Sequence, residues 1–378
     1  MTKPNFDDLR PYYDHEVQSA MQRIVADPLF AGVAGFLYPD KSVAEVAAMI
    51  SSINSSFDFQ KKVMYHAITR IAAKTMTKFT CNGLQFLDKN KAYLFISNHR
   101  DILLDSALLQ IALSDNNLNT SEITFGSNLM QSSFVVDIGK SNKMFKVVRG
   151  GTPRDFYRNS LHLSQYIRHT ILEKNESIWI AHRNGRTKDG NDLTDQAVLK
   201  MFSMSGDKDL IDNLLELNIT PMVVSYQWET CDVSKVNELY ISKTSKYEKK
   251  PGEDLQSILN GITQFKGNVH IEVTDPVTRE EIVGNGSGEK PEIFNNLTSA
   301  INKRIHLGYA LWDSNYIAYD IENNSRVYEG DKYSASQKEF FIDLMNKRIS
   351  LINGNKEQIQ AIYLQLYSNP LKNALMYK

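Results

Sequence analysis

Residues 92–105 read AYLFISNHRDILLD, and this stretch decides the fold. Residues 92–96 favour a buried strand, because aromatic and β-branched side chains suit a pleated surface and the polar pair Ser97-Asn98 ends the run. The strand delivers His99 to a loop, where a neutral imidazole can take a proton from a hydroxyl and a carboxylate, Asp101 or Asp105, can fix its tautomer. The alternative is an aspartate that caps a helix beside a core or surface histidine.

The composition is that of an ordinary globular protein. The 378 residues are compatible with one large domain or two, and 42% hydrophobic content suffices for a sizeable core. A formal net charge of -1, from 43 basic and 44 acidic residues, gives no global field that would recruit nucleic acid. Cys81 and Cys231 are too few for a disulfide framework or a thiolate metal site, so a reducing, cytoplasmic compartment fits best.

The amino terminus does not resemble a signal peptide, and no apolar run reaches the roughly 20 residues that a membrane-spanning helix needs. We therefore expect a soluble or peripheral protein. A helix predicted over about residues 59–79 carries basic side chains and no acidic residue after Asp58. Those basic residues are Lys61, Lys62, Arg70, Lys74 and Lys78. Such a helix suits an anionic membrane surface, but it equally suits a solvated helix face.

Three segments follow from the periodicity: a helical N-terminal segment over 1–80, an α/β domain over 81–276 and a mainly helical C-terminal extension over 277–378. Within the α/β domain, predicted strands alternate with predicted helices, which indicates an α/β fold with a mostly parallel sheet flanked by helices. The strands are predicted over 93–96, 123–125, 146–148, 177–181, 220–225 and 269–273, and the helices over 103–113, 158–173 and 209–217. Residues 278–290 are predicted to form a loop.

Three further regions have a composition that suits a site at strand ends. Lys146 and Arg149 lead out of a strand into the Gly150-Gly151 turn, where an arginine can clamp a phosphate or carboxylate or can form a surface ion pair. After the strand over 177–181 come Arg183, Asn184, Gly185 and Arg186, which suggest an anion site or a solvated turn. The last region, residues 218–226, is a buried strand containing Pro221.

Taken in order, these regions resemble the glycerol-3-phosphate and lysophosphatidate acyltransferase family, over about residues 80–276. The resemblance implies that His99 is the general base, that Asp105 orients it, and that Arg149 and Arg186 hold the anionic group of the acceptor. It also implies an acyl-ACP or acyl-CoA co-substrate, a lipid acceptor and no other cofactor. We expect no metal and no nucleic-acid partner, and we expect a cytoplasmic protein, peripheral on the inner face of the cell membrane.

The chain departs from the family pattern in two places. The family separates its histidine and aspartate by four residues, whereas five separate His99 from Asp105, so Asp101 remains a candidate partner. The family has Glu-Gly before the arginine of its third block, whereas this chain has Arg183-Asn184 before Gly185-Arg186. Two alternatives therefore stay open: an O-acyltransferase for a non-glycerol, amino-acid type lipid, and a noncatalytic lipid-binding protein with the same fold.

The sequence His99-Arg100-Asp101 also matches part of the catalytic loop of protein kinases. A kinase would need an asparagine where Ser106 stands, a Gly-rich loop upstream and Asp-Phe-Gly downstream. The chain has none of these, so a kinase is excluded.

Overall fold

The computed structural model describes residues 4–148, 150–286 and 288–378. A seven-stranded sheet with the strand order β1-β7-β6-β2-β5-β3-β4 lies at its centre. The strands are β1 (Met76–Asn82), β2 (Leu94–Ser97), β3 (Glu122–Gly126), β4 (Met144–Val147), β5 (Ile178–Ala181), β6 (Ile219–Tyr226) and β7 (Gly267–Val273). All neighbouring strands pair in parallel except β6 and β7. The predicted α/β class with a mostly parallel sheet is confirmed.

Helices flank the sheet and make up most of the described chain before β1 and after β7. They are α1 (Asp14–Ala26), α2 (Phe30–Leu37), α3 (Val43–Ser51), α4 (Ser56–Phe59), α5 (Tyr65–Thr75), α6 (Leu104–Asp115), α7 (Ser133–Ser141), α8 (Pro153–Arg168), α9 (Gln196–Phe202), α10 (Leu210–Leu215), α11 (Asp232–Ser242), α12 (Glu253–Thr263), α13 (Arg279–Val283), α14 (Lys290–Gly308), α15 (Asp313–Glu322), α16 (Ala335–Ile349) and α17 (Lys356–Leu375). Single π-helical turns, Gln60–Met64 and His169–Glu173, precede α5 and extend α8.

The central strands are apolar on both sides because helices cover both faces of the sheet. Alternate side chains of β2 point to opposite faces, so Leu94 and Ile96 join one core and Phe95 joins the other. The first core contains residues from α8, α9 and α14, and the second contains residues from α5 and α6. Two further clusters hold the N-terminal helices and helices α15 to α17.

The structure differs from the prediction at β1. The helix predicted over 59–79 ends at Thr75, and β1 begins at Met76, so the sheet starts before residue 81. This strand lies at the edge of the sheet, and because Thr77 and Lys78 are polar and exposed, it lacks the apolar run that is typical of a buried strand. Because β7 runs antiparallel to β6, β1 also runs opposite to β2, and the C-terminal end of α5 lies at the edge of the sheet where β2 ends.

Other differences lie in the connections. Helices α7, α9, α11 and α12 were not predicted, and the predicted loop over 278–290 contains α13. Among the described residues, no helix combines the length and the apolar character needed to cross a bilayer.

Candidate active site

A cleft of about 350 Å³ opens where the parallel strands β2, β3, β4 and β5 end. Their C-terminal ends share one edge of the sheet, which is where open α/β sheets carry their sites. The cleft is lined by side chains from all four strand ends and from the loops that follow, including His99, Trp179, Lys146, Arg183, Asn184, Gly185 and Arg186. Among the predicted binding residues, only Arg149 falls outside the described residues.

His99 and Asp105 form a hydrogen-bonded pair at the end of β2. The distance from Nδ1 of His99 to Oδ2 of Asp105 is 2.9 Å. The same oxygen accepts the backbone N–H groups of Arg100 at 2.6 Å and Asp101 at 2.9 Å, and Tyr226 donates its hydroxyl to Oδ1 at 2.8 Å. A carboxylate held this firmly fixes the imidazole with its proton on Nδ1, so the lone pair of Nε2 is available in the cleft.

Tyr226 stays protonated and therefore remains a donor to Asp105. Burial raises the pKa of its hydroxyl well above the ordinary value, and the neighbouring charge of Asp105 adds to the effect. Sequence reasoning missed this residue, because it lies in β6 and is 121 residues from Asp105 in the chain.

Asp101 has a different position from Asp105. Its Oδ1 accepts the backbone N–H groups of Leu103 at 3.0 Å and Leu104 at 2.9 Å, so it satisfies free donors at the start of α6. Its Oδ2 is buried and has no hydrogen-bond partner among the described residues. The turn that Asp101 caps brings Asp105, in the first helical turn, back to His99.

His182 is the other histidine next to the end of a strand, and its environment is unlike that of His99. It is fully buried, its Nδ1 lies 3.2 Å from the hydroxyl of Thr194, and it does not line the cleft. Burial lowers its pKa to about 3. His182 is thus a neutral core residue, whereas the side chain of His99 is 13% exposed and reaches the cleft.

The cationic residues of the cleft have few protein partners. Arg186 donates from Nη2 to the hydroxyl of Ser257 at 3.1 Å, and its Nη1 is buried without a partner among the described residues. Neither Arg183 nor the side chain of Lys146 has a hydrogen bond or an ion pair with a described residue. A buried donor without a partner is rare in a folded protein, so the cleft has unused capacity to bind an anion.

A buried ionic cluster holds the loop that carries His99. The guanidinium of Arg100, which is fully buried, pairs with Asp192 and Glu229, and Lys235 binds both Glu229 and the carbonyl oxygen of Arg100. Burial by itself lowers the pKa of Arg100, but the carboxylates of Asp192 and Glu229 raise it well above the ordinary value. No local sequence signal reveals this cluster, because Asp192 and Glu229 are 92 and 129 residues away.

Backbone contacts complete the support of the loop. The side-chain amide of Asn98 binds the backbone of Val224 in β6: its Oδ1 accepts the N–H at 2.8 Å, and its Nδ2 donates to the carbonyl at 3.0 Å. The N–H of Thr187 donates to the carbonyl of His99 at 2.7 Å, which connects the loop after β5 to the loop after β2. The geometry therefore brings His99 and Arg186 to the same cleft through direct contacts between their loops.

Helix α12, which was not predicted, covers the loops that carry His99 and Arg186. Ser257 contacts Arg186, and Gly261 lies so close to Asp101 that an added Cβ would be 2.4 Å from its Oδ2. Glycine is required there by the close approach of the helix to the loop. At the N-terminal end of α12, Asp254 lines the cleft and accepts a hydrogen bond from Asn128 at 2.9 Å.

Within the part of the chain that the structure describes, no group of three or more His, Cys, Asp or Glu side chains could hold a metal ion.

Comparisons with known proteins find a similarity among solved structures. No protein-family model matches the sequence, and no curated protein matches it. Among solved structures, the chain is similar to the 1-acyl-sn-glycerophosphate (LPA) acyltransferase PlsC from Thermotoga maritima, with 14% identity and a TM-score of 0.36. The match covers 75% of this chain and 91% of that one. A similarity at this level does not by itself assign an activity.

Proposed function

We propose that the protein is an acyltransferase that moves a fatty acyl group from acyl-ACP or acyl-CoA to a hydroxyl of an anionic lipid acceptor. The observation that carries the proposal is the pairing of His99 with Asp105 at the wall of a cleft that also contains Lys146, Arg183 and Arg186. The order of the motif regions along the chain, which resembles that of the phospholipid acyltransferases, supports the same reaction.

In this mechanism Nε2 of His99 removes the proton of the acceptor hydroxyl as the oxygen attacks the thioester carbonyl. Asp105 stabilises the imidazolium that forms. When the tetrahedral intermediate collapses, the carbon–sulfur bond breaks and the thiolate takes the proton back from His99. The products are an ester and a free thiol, and no acyl-enzyme is formed.

The intermediate carries a negative oxygen, and we assign its donor to Trp179. The indole ring lines the cleft and meets the ring of His99 edge-on, with 5.6 Å between centroids. Its Nε1 is buried and has no hydrogen-bond partner among the described residues. A preorganised donor of this kind contributes most when it meets charge that develops only in the transition state.

Arg183, Arg186 and Lys146 would bind the anion of the acceptor. A forked guanidinium binds phosphate with two parallel hydrogen bonds, and Arg186 already has one orientation fixed by Ser257. Glycerol phosphate and lysophosphatidate are the simplest acceptors with a hydroxyl beside such an anion. We propose the same role for Arg149, which follows β4 in the sequence; this assignment rests on the sequence motif.

We also propose a peripheral association with the inner face of the cell membrane. Helix α2 has no polar side chain, and Val33 and Phe36 are exposed on it. Two cations of α5 lie beside Phe36: Arg70 donates to its carbonyl at 3.2 Å, and Lys74 lies 5.3 Å from the centre of its ring. An exposed apolar helix next to cations suits the interface of an anionic bilayer.

The test is an acyl-transfer assay with purified protein. Acyl-CoA and acyl-ACP are offered with glycerol phosphate, lysophosphatidate and a hydroxylated amino-acid lipid. His99→Ala should lower turnover by about 10² to 10⁴ while the protein stays folded, and the exposed His15→Ala serves as the matched control.

Near-full turnover in a folded His99→Ala protein would exclude the mechanism. Wild-type protein that binds lysophosphatidate but acylates no acceptor would favour the noncatalytic lipid-binding alternative.

A further inference from the structure

Helix α12 and the loop before it form a surface that the proposed mechanism does not use. Ser257 and Gly261 lie on the inner face of α12 against the catalytic loops. Leu255 and Leu259, four residues apart, lie on the opposite face, where they are 60% and 44% exposed. Phe265, just beyond the helix, is 52% exposed. The outer side of the element therefore exposes three large apolar side chains, beside the polar Gln256 and Thr263.

Charge is distributed unevenly along this segment. Residues 255–265 contain no charged side chain, whereas residues 243–250 contain four lysines and one glutamate, and Glu253 and Asp254 lie between the two ranges. The lysines Lys243, Lys246, Lys249 and Lys250 are all exposed. Among them, Lys249 pairs with Asp254 and lines the cleft, which fixes the loop at the cleft mouth.

We propose that α12 and residues 243–250, which we term the cleft lip, dock on an anionic bilayer and hold the cleft against the lipid. An apolar helix face that follows a cluster of lysines is the pattern of an interfacial membrane element. An acidic protein would also be attracted by the lysines, but it gives no reason for the exposed leucines, so the bilayer is the occupant that the surface favours.

The position of the cleft lip agrees with this assignment. Helix α12 packs against α5, and Lys266 at the start of β7 donates to the hydroxyl of Thr75 at the end of α5 at 3.0 Å. The cleft lip thus adjoins the element that carries Arg70 and Lys74. Under the proposed function on which this inference rests, a lipid acceptor would enter the cleft directly from the bilayer.

Binding to vesicles tests the proposal without requiring activity. The probes are phosphatidylcholine vesicles with and without phosphatidylglycerol, and the variants are Leu255→Ser/Leu259→Ser and Lys243→Glu/Lys246→Glu. Each pair should weaken binding to the anionic vesicles by about tenfold or more. The matched controls, Val327→Ser/Leu351→Ser in the C-terminal extension and Lys89→Glu/Lys91→Glu before β2, should bind like wild type.

Either of two results with the serine and glutamate variants would overturn the proposal. One is unchanged vesicle binding by the folded leucine variant. The other is a lysine variant that loses binding to acyl carrier protein but keeps its binding to vesicles, which would make the surface a protein-docking site. If the serine variant does not fold, Leu255→Trp replaces it: brominated phospholipid should quench its added fluorescence, whereas Val327→Trp should not be quenched, and an unquenched Leu255→Trp also overturns the proposal.

Activity separates this proposal from the proposed function. The leucine variant should acylate a dispersed short-chain acceptor at the wild-type rate and a bilayer-embedded acceptor more slowly. Absence of acyl transfer in the wild type would refute the proposed function alone, because vesicle binding reports on the cleft lip independently.

Discussion

At the scale of single residues, the site depends on which of two aspartates, Asp101 or Asp105, binds the imidazole of His99. Asp105 and Asp101 are both within six residues of His99, yet one binds the imidazole and the other binds the backbone at the start of α6. The difference follows from the turn between them, because Asp101 satisfies N–H groups that have no partner within the helix. Substitution of Asp105 is therefore expected to affect turnover, whereas substitution of Asp101 is expected to affect stability.

Asp105→Asn should lose most turnover while the protein keeps its thermal stability, since the amide cannot stabilise the imidazolium of His99. Asp101→Asn should keep turnover within a few-fold and lower the free energy of unfolding by about 1 kcal/mol or less, because asparagine is also a competent cap. Steady-state kinetics and thermal unfolding of both variants provide the comparison. The opposite pattern would move the orienting role to Asp101.

Trp179→Phe isolates the indole N–H, because phenylalanine keeps most of the ring. If Trp179 donates to the oxyanion, turnover should fall by about 10² with little change in the KM of either substrate. A rise in KM at unchanged turnover would instead indicate that Trp179 only shapes the cleft.

His182 gives the protein a pH dependence of stability. Its folded pKa of about 3 lies below the unfolded value, so above a pH of about 6.5 both states are neutral and no effect arises. Below that pH the unfolded chain binds a proton that the folded chain does not, and the free energy of unfolding falls by about 2 kcal/mol by pH 5. Denaturant unfolding at pH 7 and pH 5 should show this loss in the wild type, and His182→Asn should lack that portion of it.

At the scale of elements, buried strands could be predicted from the sequence far better than the edge strand β1 or the covering helix α12. Strand β2 and the eight buried residues of β6 are apparent from their apolar runs, because helices cover both faces there. Strand β1 lies at the edge of the sheet and carries polar residues, so its sequence was predicted to be the end of a helix. Helix α12 has apolar residues at helical spacing (Leu255, Ile258, Leu259 and Ile262), so sequence reasoning could have found the helix. Its contact with Asp101 could not be predicted from local pattern, because Gly261 and Asp101 are far apart in the chain.

Gly261→Ala tests the contact between α12 and the loop that carries His99 and Asp101. Alanine in an exposed helix interior normally stabilises by about 1 kcal/mol relative to glycine. At Gly261 the added methyl group meets Asp101, so we expect lower stability and lower turnover. Gly35→Ala on α2 is the matched control, because nothing lies within 4 Å of its added Cβ; it should raise the thermal midpoint. A Gly261→Ala protein as active and stable as the control would contradict the contact.

At the scale of the whole molecule, a buried ion pair and several hydrogen bonds join helices α16 and α17 to α11 and the segment before it. Arg348 of α16 pairs with Asp232 at the start of α11, and the hydroxyls of Tyr363 and Tyr367 donate to the same carboxylate at 3.2 Å. The hydroxyl of Tyr367 also accepts the N–H of Glu229 at 3.0 Å. Composition and periodicity predicted the helical extension, but not these contacts, which join residues more than 100 positions apart.

Arg348→Met should destabilise the protein by about 3 to 5 kcal/mol, because it leaves the buried carboxylate of Asp232 without its cation. The double variant Arg348→Met/Asp232→Asn should recover part of that loss. Denaturant unfolding of both single variants and the double variant measures the coupling. Simple additivity of the two single changes would show that the pair does not couple the two segments.

The ionic partners of Arg100 also set an order of events during synthesis. His99 is made well before Asp192 and Glu229, which hold its loop, and Asn369, which binds the carbonyl of Asp189 at 2.7 Å, is made later still. The growing chain therefore cannot complete the ion pairs of Arg100 until residue 229 has left the ribosome, as is typical of folds with many distant pairings. A nascent polypeptide that ends before Asp192 would leave the guanidinium of Arg100 without either of its carboxylate partners.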